Sequence, residues 1–131
     1  MEIIECEKYT FKVYPENNFL EYVIKEGVII DAADTKEGKK IILDRWPDIK
    51  FYVLVQGIEF FTITKEARTL ASTKEFSSNT NAIAFYTINT SLLLLSTMYL
   101  KIDKPYVPTK FFTDKNEARF WLELQKKKIG K

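Results

Sequence analysis

Residues Lys50 to Val55 read Lys-Phe-Tyr-Val-Leu-Val, an apolar run without the polar alternation of a half-solvated strand. A strand needs such a run when both faces of its sheet are covered, which happens chiefly in parallel sheets flanked by helices. Trp46-Pro47 stands before it and Gln56-Gly57 after it, and both pairs interrupt regular structure. A central strand here commits the rest of the chain to supplying neighbouring strands and covering helices.

The flanking segments meet that demand. Tyr9, Phe11 and Val13 alternate with Thr10, Lys12 and Tyr14, Pro15-Glu16-Asn17-Asn18 turns the chain, and Phe19 to Ile24 returns it, which predicts an antiparallel hairpin. Val28-Ile29-Ile30 is followed by Asp31 and, three positions on, Asp34, the spacing of a helix N-terminal cap. A helix over Ala32 to Arg45 follows, weakened by Gly38, with Lys36, Lys39 and Lys40 on a solvated outer face. Thr64 caps a second helix that buries Ala67, Leu70 and Ala71. A strand over Ala82 to Ile88, a helix over Ser91 to Leu100, a strand near Lys110 to Phe112 and a last helix opened by Asp114 and Glu117 complete the order. Right-handed crossovers then give an α/β fold: a mixed, mostly parallel sheet of 4–5 strands with about four helices.

At 131 residues the chain fits a single domain spanning 1–131, and a domain of this size buries roughly 65–70% of its unfolded surface. Lys126-Lys127-Lys128 reads as a short disordered basic tail over about 126–131. With 20 basic and 18 acidic side chains the net charge is +2, far from a phosphate-binding footprint, so no nucleic-acid partner is expected even where lysine adjoins aromatics at Lys50-Phe51-Tyr52 and Lys110-Phe111-Phe112. The lone Cys6 cannot form an internal disulfide and Met1 to Glu5 lacks a signal-peptide pattern, which together indicate a reduced, cytoplasmic setting. Asn79 to Leu100 carries no charge and is long enough to cross a bilayer. Its interruption by Thr87, Asn89, Thr90, Ser91, Ser96 and Thr97 favours a buried strand feeding a helix over an integral membrane segment.

Composition also weighs against catalysis. The chain has no histidine, the commonest general base and zinc ligand, and one cysteine excludes thiolate metal clusters. With 4 glycines it contains no glycine-rich phosphate loop, and Ser72, Ser77, Ser78, Ser91 and Ser96 have no histidine to activate them. The acid pairs Asp31 with Asp34 and Asp44 with Asp48 read as helix-end features. No catalytic residue, cofactor or metal is therefore expected, and the chain reads as a non-enzyme.

Leu92 to Leu95 in succession span more than half of a helix circumference, whereas a helix lying on a sheet buries one stripe. Either that helix is sandwiched, or Leu93, Leu94 and Met98 form an exposed apolar interface for a dimer, a partner or a ligand.

The order hairpin, helix, strand, helix, strand, helix, strand, helix, closed by Pro108-Thr109-Lys110-Phe111-Phe112-Thr113-Asp114 with Glu117-Ala118 and Trp121-Leu122, resembles the SpoIIAA-like or STAS-type domains, including the small bacterial STAS/SEC14-like proteins. The resemblance spans nearly the whole chain. It implies a SpoIIAA-like fold and a regulatory, protein-interaction role with a protein partner or a homodimer. In the anti-anti-sigma branch a serine beginning the helix after the central strand is phosphorylated. The matching loop here is Gln56 to Thr64, where the family's Asp-x-Ser pattern is missing and the hydroxyls are Thr62 and Thr64, a cap position as well as a candidate phosphoacceptor. The alternative is a small apolar-ligand or lipid carrier, which the SEC14-like label implies. An apolar cavity distinguishes the two readings.

Overall fold

A computed structural model describes residues 1–57, 61–88 and 104–129. The chain opens with strand β1 (Glu2–Glu5), then β2 (Tyr9–Tyr14), and β3 (Phe19–Ile24) completes an antiparallel meander. In β2, Tyr9, Phe11 and Val13 are buried and the residues between them half-buried, as the alternation predicts. The turn is a single 3₁₀ turn, Pro15–Asn17, closed by Asn18 at φ 54, a left-handed conformation that asparagine tolerates.

Strand β4 (Ile29–Ile30) leads into helix α1 (Ala32–Arg45). The expected cap is present in both directions: the Asp34 amide donates to Asp31 Oδ1 at 2.9 Å and the Asp31 amide to Asp34 Oδ2 at 3.0 Å. Gly38 is buried where α1 crosses the hairpin, and a Cβ there would stand 3.1 Å from Phe11 Cζ. The glycine that weakens the helix in isolation is thus the point of close approach between helix and sheet.

Strand β5 (Phe51–Gln56) pairs in parallel with β3, and strand β7 (Thr80–Tyr86) pairs in parallel with its other side. Between β5 and β7 lie strand β6 (Thr62–Ile63) and helix α2 (Lys65–Ala71). β6 pairs with β4 in a separate two-stranded parallel ribbon. Strand β8 (Thr109–Phe112) pairs in parallel with β7, and helix α3 (Lys115–Ile129) closes the chain. The main sheet runs β1-β2-β3-β5-β7-β8, so Phe51 to Val55 is the interior strand that its composition demands.

Residue parity on β5 separates two cores. Phe51 and Val55 pack with Tyr9, Phe11, Val13, Leu20, Ile24, Ile30 and Ile42 beneath α1. Tyr52 and Leu54 pack with Ala82, Ala84, Ala118 and Leu122 beneath α3. The alanines let α3 lie close on the sheet, and each large apolar side chain so buried contributes roughly 1.5–3 kcal/mol before the entropy cost.

Two expectations change. The sheet has six strands rather than 4–5, because Glu2–Glu5 adds an edge strand too short to show a period. Lys126, Lys127 and Lys128 stand in the last turn of α3 rather than in a disordered tail; cations there are favoured by the helix dipole, and Lys126 donates to the Asn17 carbonyl at 2.9 Å. Three α-helices occur among the described residues, and the helix expected over Ser91 to Leu100 lies outside them. No described helix is long and apolar enough to cross a membrane.

Candidate functional site

Between α1, α2 and the sheet lies a cavity of about 210 Å³. Its floor comes from alternate positions on successive strands: Leu20 and Tyr22 on β3, Phe51, Val53 and Val55 on β5, Ile83 and Phe85 on β7, and Phe111 on β8. These positions share one face because side chains in a strand repeat every two residues. The rings of Phe85 and Phe111 stack with centroids 4.5 Å apart and planes 8° from parallel. α1 contributes Gly38, Lys39 and Ile42, β6 and the residue before it contribute Phe61 and Ile63, and α2 contributes Ala67, Arg68 and Ala71. The surface is overwhelmingly apolar, the property of a ligand-binding concavity.

Among the described residues, three charged side chains line it. Asp34 is committed outward: Lys8 Nζ sits 2.7 Å from its Oδ2, the same oxygen that receives the Asp31 amide. Burial raises the Asp34 carboxyl, but the Asp31 amide and Lys8 outweigh it and the net direction is down, so this group stays ionised. Arg68 donates through Nη1 to the Ile63 carbonyl at 3.0 Å. Lys39 donates to Asn79 Oδ1 and stands 4.4 Å from the centroid of the Phe76 ring. Burial depresses its ammonium to about 8.

Lys39 corrects the sequence reading, which placed it on a solvated face with Lys36 and Lys40. Those two are exposed, whereas Lys39 turns inward. The signal was available: counting back from the buried Ile42 by three, four and seven gives Lys39, Gly38 and Thr35, one helical stripe, and all four line the cavity.

The predicted phosphoacceptor candidates sit on the ribbon beside this cavity. Thr62 is exposed on β6. The Thr64 hydroxyl accepts the Ala67 amide at 3.2 Å as the N-cap of α2. Leu93, Leu94 and Met98, the candidate apolar interface, lie outside the described residues. No cluster of three or more His, Cys, Asp or Glu side chains suited to a metal occurs among the described residues. Burial raises the thiol of Cys6, away from nucleophilic character.

The sequence profile of a family described as a domain of unknown function, DUF7793, matches residues 13–126. The fold is similar to the crystal structure of an uncharacterized protein from the DUF3478 family with a SpoIIAA-like fold from Shewanella loihica PV-4. That likeness has a TM-score of 0.59 at 14% identity, covering 92% of this chain and 90% of the other. It bears out the SpoIIAA-like, mixed α/β expectation. A comparison with curated proteins finds no match.

Proposed function

This chain belongs to the DUF7793 family, and we propose that it is a non-catalytic binding module that holds a small apolar ligand between α1, α2 and the sheet. The cavity carries the reading: about 210 Å³ lined, among the described residues, by aromatic and aliphatic side chains from seven strands and two helices. Ligand sites are concave and mostly apolar with a few polar groups at their walls, and this concavity is of that kind. Catalysis has less support, since the chain lacks histidine and Asp34, the acid lining the cavity among the described residues, is already held by Lys8. A reduced cytoplasmic setting fits the single cysteine.

A protein-interaction role, with a partner or a second copy, is the second reading. Its support is the outer face of α3, where Phe120 is 66% exposed and Leu124, one turn on, is 39% exposed.

Native mass spectrometry of the protein purified from its own cells, beside a denatured sample, tests the first reading. A small mass retained only under native conditions is expected, together with enhanced fluorescence of the neutral probe N-phenyl-1-naphthylamine. A clean protein that fails to enhance the probe overturns the ligand reading. Loss of a co-purifying protein or of a dimer in Phe120→Ser would then carry the second.

A further inference from the structure

Among the described residues lining the cavity, Lys39 is the charged group whose contacts leave its charge uncompensated. Its ammonium meets the neutral Asn79 side chain and the Phe76 ring, and no carboxylate stands within ion-pair distance of it among the described residues. The carboxylate lining the same cavity, Asp34, is turned to Lys8. An ammonium partly withdrawn from water without an anion is unfavourable, which is why charges inside proteins are found paired. A solvated lysine would have been the easier choice on α1, whose Lys36 and Lys40 are exposed.

We infer that the cavity takes an amphipathic monoanion, an apolar chain ending in one carboxylate, with Lys39 as its counter-ion; this rests on the apolar-ligand reading and specifies it. The placement fits such a molecule. Lys39 lies where α1 meets the segment between α2 and β7, at Phe76 and Asn79, while the floor beyond is formed by Val53, Val55, Ile83 and Phe85. One ammonium matches one negative charge, and the neighbouring Asn79 amide offers neutral hydrogen bonding beside it. A dianionic phosphate monoester would need further donors, and Arg68 already donates to the Ile63 carbonyl.

The matched probes decanoate and decan-1-ol, titrated calorimetrically into the full chain at pH 7, test the charge, with N-phenyl-1-naphthylamine fluorescence reporting the apolar cavity independently. Wild type is expected to bind decanoate at least about tenfold more tightly than decan-1-ol, the preference to vanish in Lys39→Met and to persist in Lys39→Arg, and the neutral probe to respond alike in all three. Equal affinity of wild type for the two ligands, or a preference that survives Lys39→Met, overturns the inference and leaves the apolar site standing. No binding of either ligand and no probe response overturns both. Should Lys39→Met fail to fold, the wild-type comparison of decanoate with decan-1-ol decides by itself.

Discussion

The ring of Phe61 lies over the backbone of Gly57, so close that a Cβ on Gly57 would come within 2.1 Å of Phe61 Cε1. Gly57 follows directly on β5 and its amide donates to the Tyr86 carbonyl at 3.1 Å, so the backbone is held while the ring caps the cavity wall. Gly57→Ala must push Phe61 away. It is expected to cost about 1–3 kcal/mol in urea denaturation and to weaken binding of N-phenyl-1-naphthylamine. An unchanged midpoint would show that the ring moves at no cost.

Thr64 and Thr62 differ in what their hydroxyls do. Thr64 satisfies a free amide of α2 while Thr62 faces outward. Thr64→Ala is expected to lower stability by about 1 kcal/mol and Thr64→Ser to retain most of it, whereas Thr62→Ala stays within about 0.5 kcal/mol of wild type. Equal losses for the two alanine variants would contradict the cap.

On the opposite face of the sheet, Glu21 is 3% exposed, with Lys115 Nζ 3.7 Å and Arg119 Nη1 3.8 Å from the same carboxylate oxygen. Either cation alone still offsets a buried carboxylate. Arg119→Ala by itself is therefore expected to cost at most about 1 kcal/mol, and the double variant Lys115→Ala/Arg119→Ala about 3 kcal/mol or more, exceeding the sum of the singles. A double-mutant cycle with no coupling would remove Glu21 as an anchor for α3.

The depressed ammonium of Lys39, at about 8 when folded, lies below the ordinary lysine value of about 10.4. Between those values the unfolded chain holds a proton that the folded chain has released, so the contribution of Lys39 to stability rises with pH across this window. Its destabilisation is fully present below about pH 8. At the same cavity, Asp34, whose carboxyl is held low, keeps its charge there, and Tyr22, raised by burial, acts in the opposite sense only above about pH 10. Without ligand, Lys39→Met is expected to be more stable than wild type at pH 7, with a gap that narrows by pH 9.5. A gap independent of pH would show that the ammonium is solvated.

Much of the fold was legible locally. Asp31 and Asp34 marked the start of α1, Thr64 that of α2 and Asp114 that of α3, because caps are satisfied by side chains within one turn of the amides they serve. The unbroken apolar run of β5 announced an interior strand. β1 escaped notice because four residues at a sheet edge carry too little pattern, and the extent of α3 because a lysine run reads alike in a helix and in a tail.

The site was less legible. Its lining gathers Leu20, Gly38, Val53, Ala67, Ile83 and Phe111, residues far apart in the chain whose shared face follows from strand pairing. By itself the sequence determined element type, caps and the central position of Phe51–Val55, since these depend on hydrogen bonds and periodicities a few residues long. Only the tertiary structure decided that a void remains between helices and sheet and that Lys39 stands inside its wall. The free energy of a half-buried charge and the closure of a core depend on what packs from distant parts of the chain, and no local pattern encodes that.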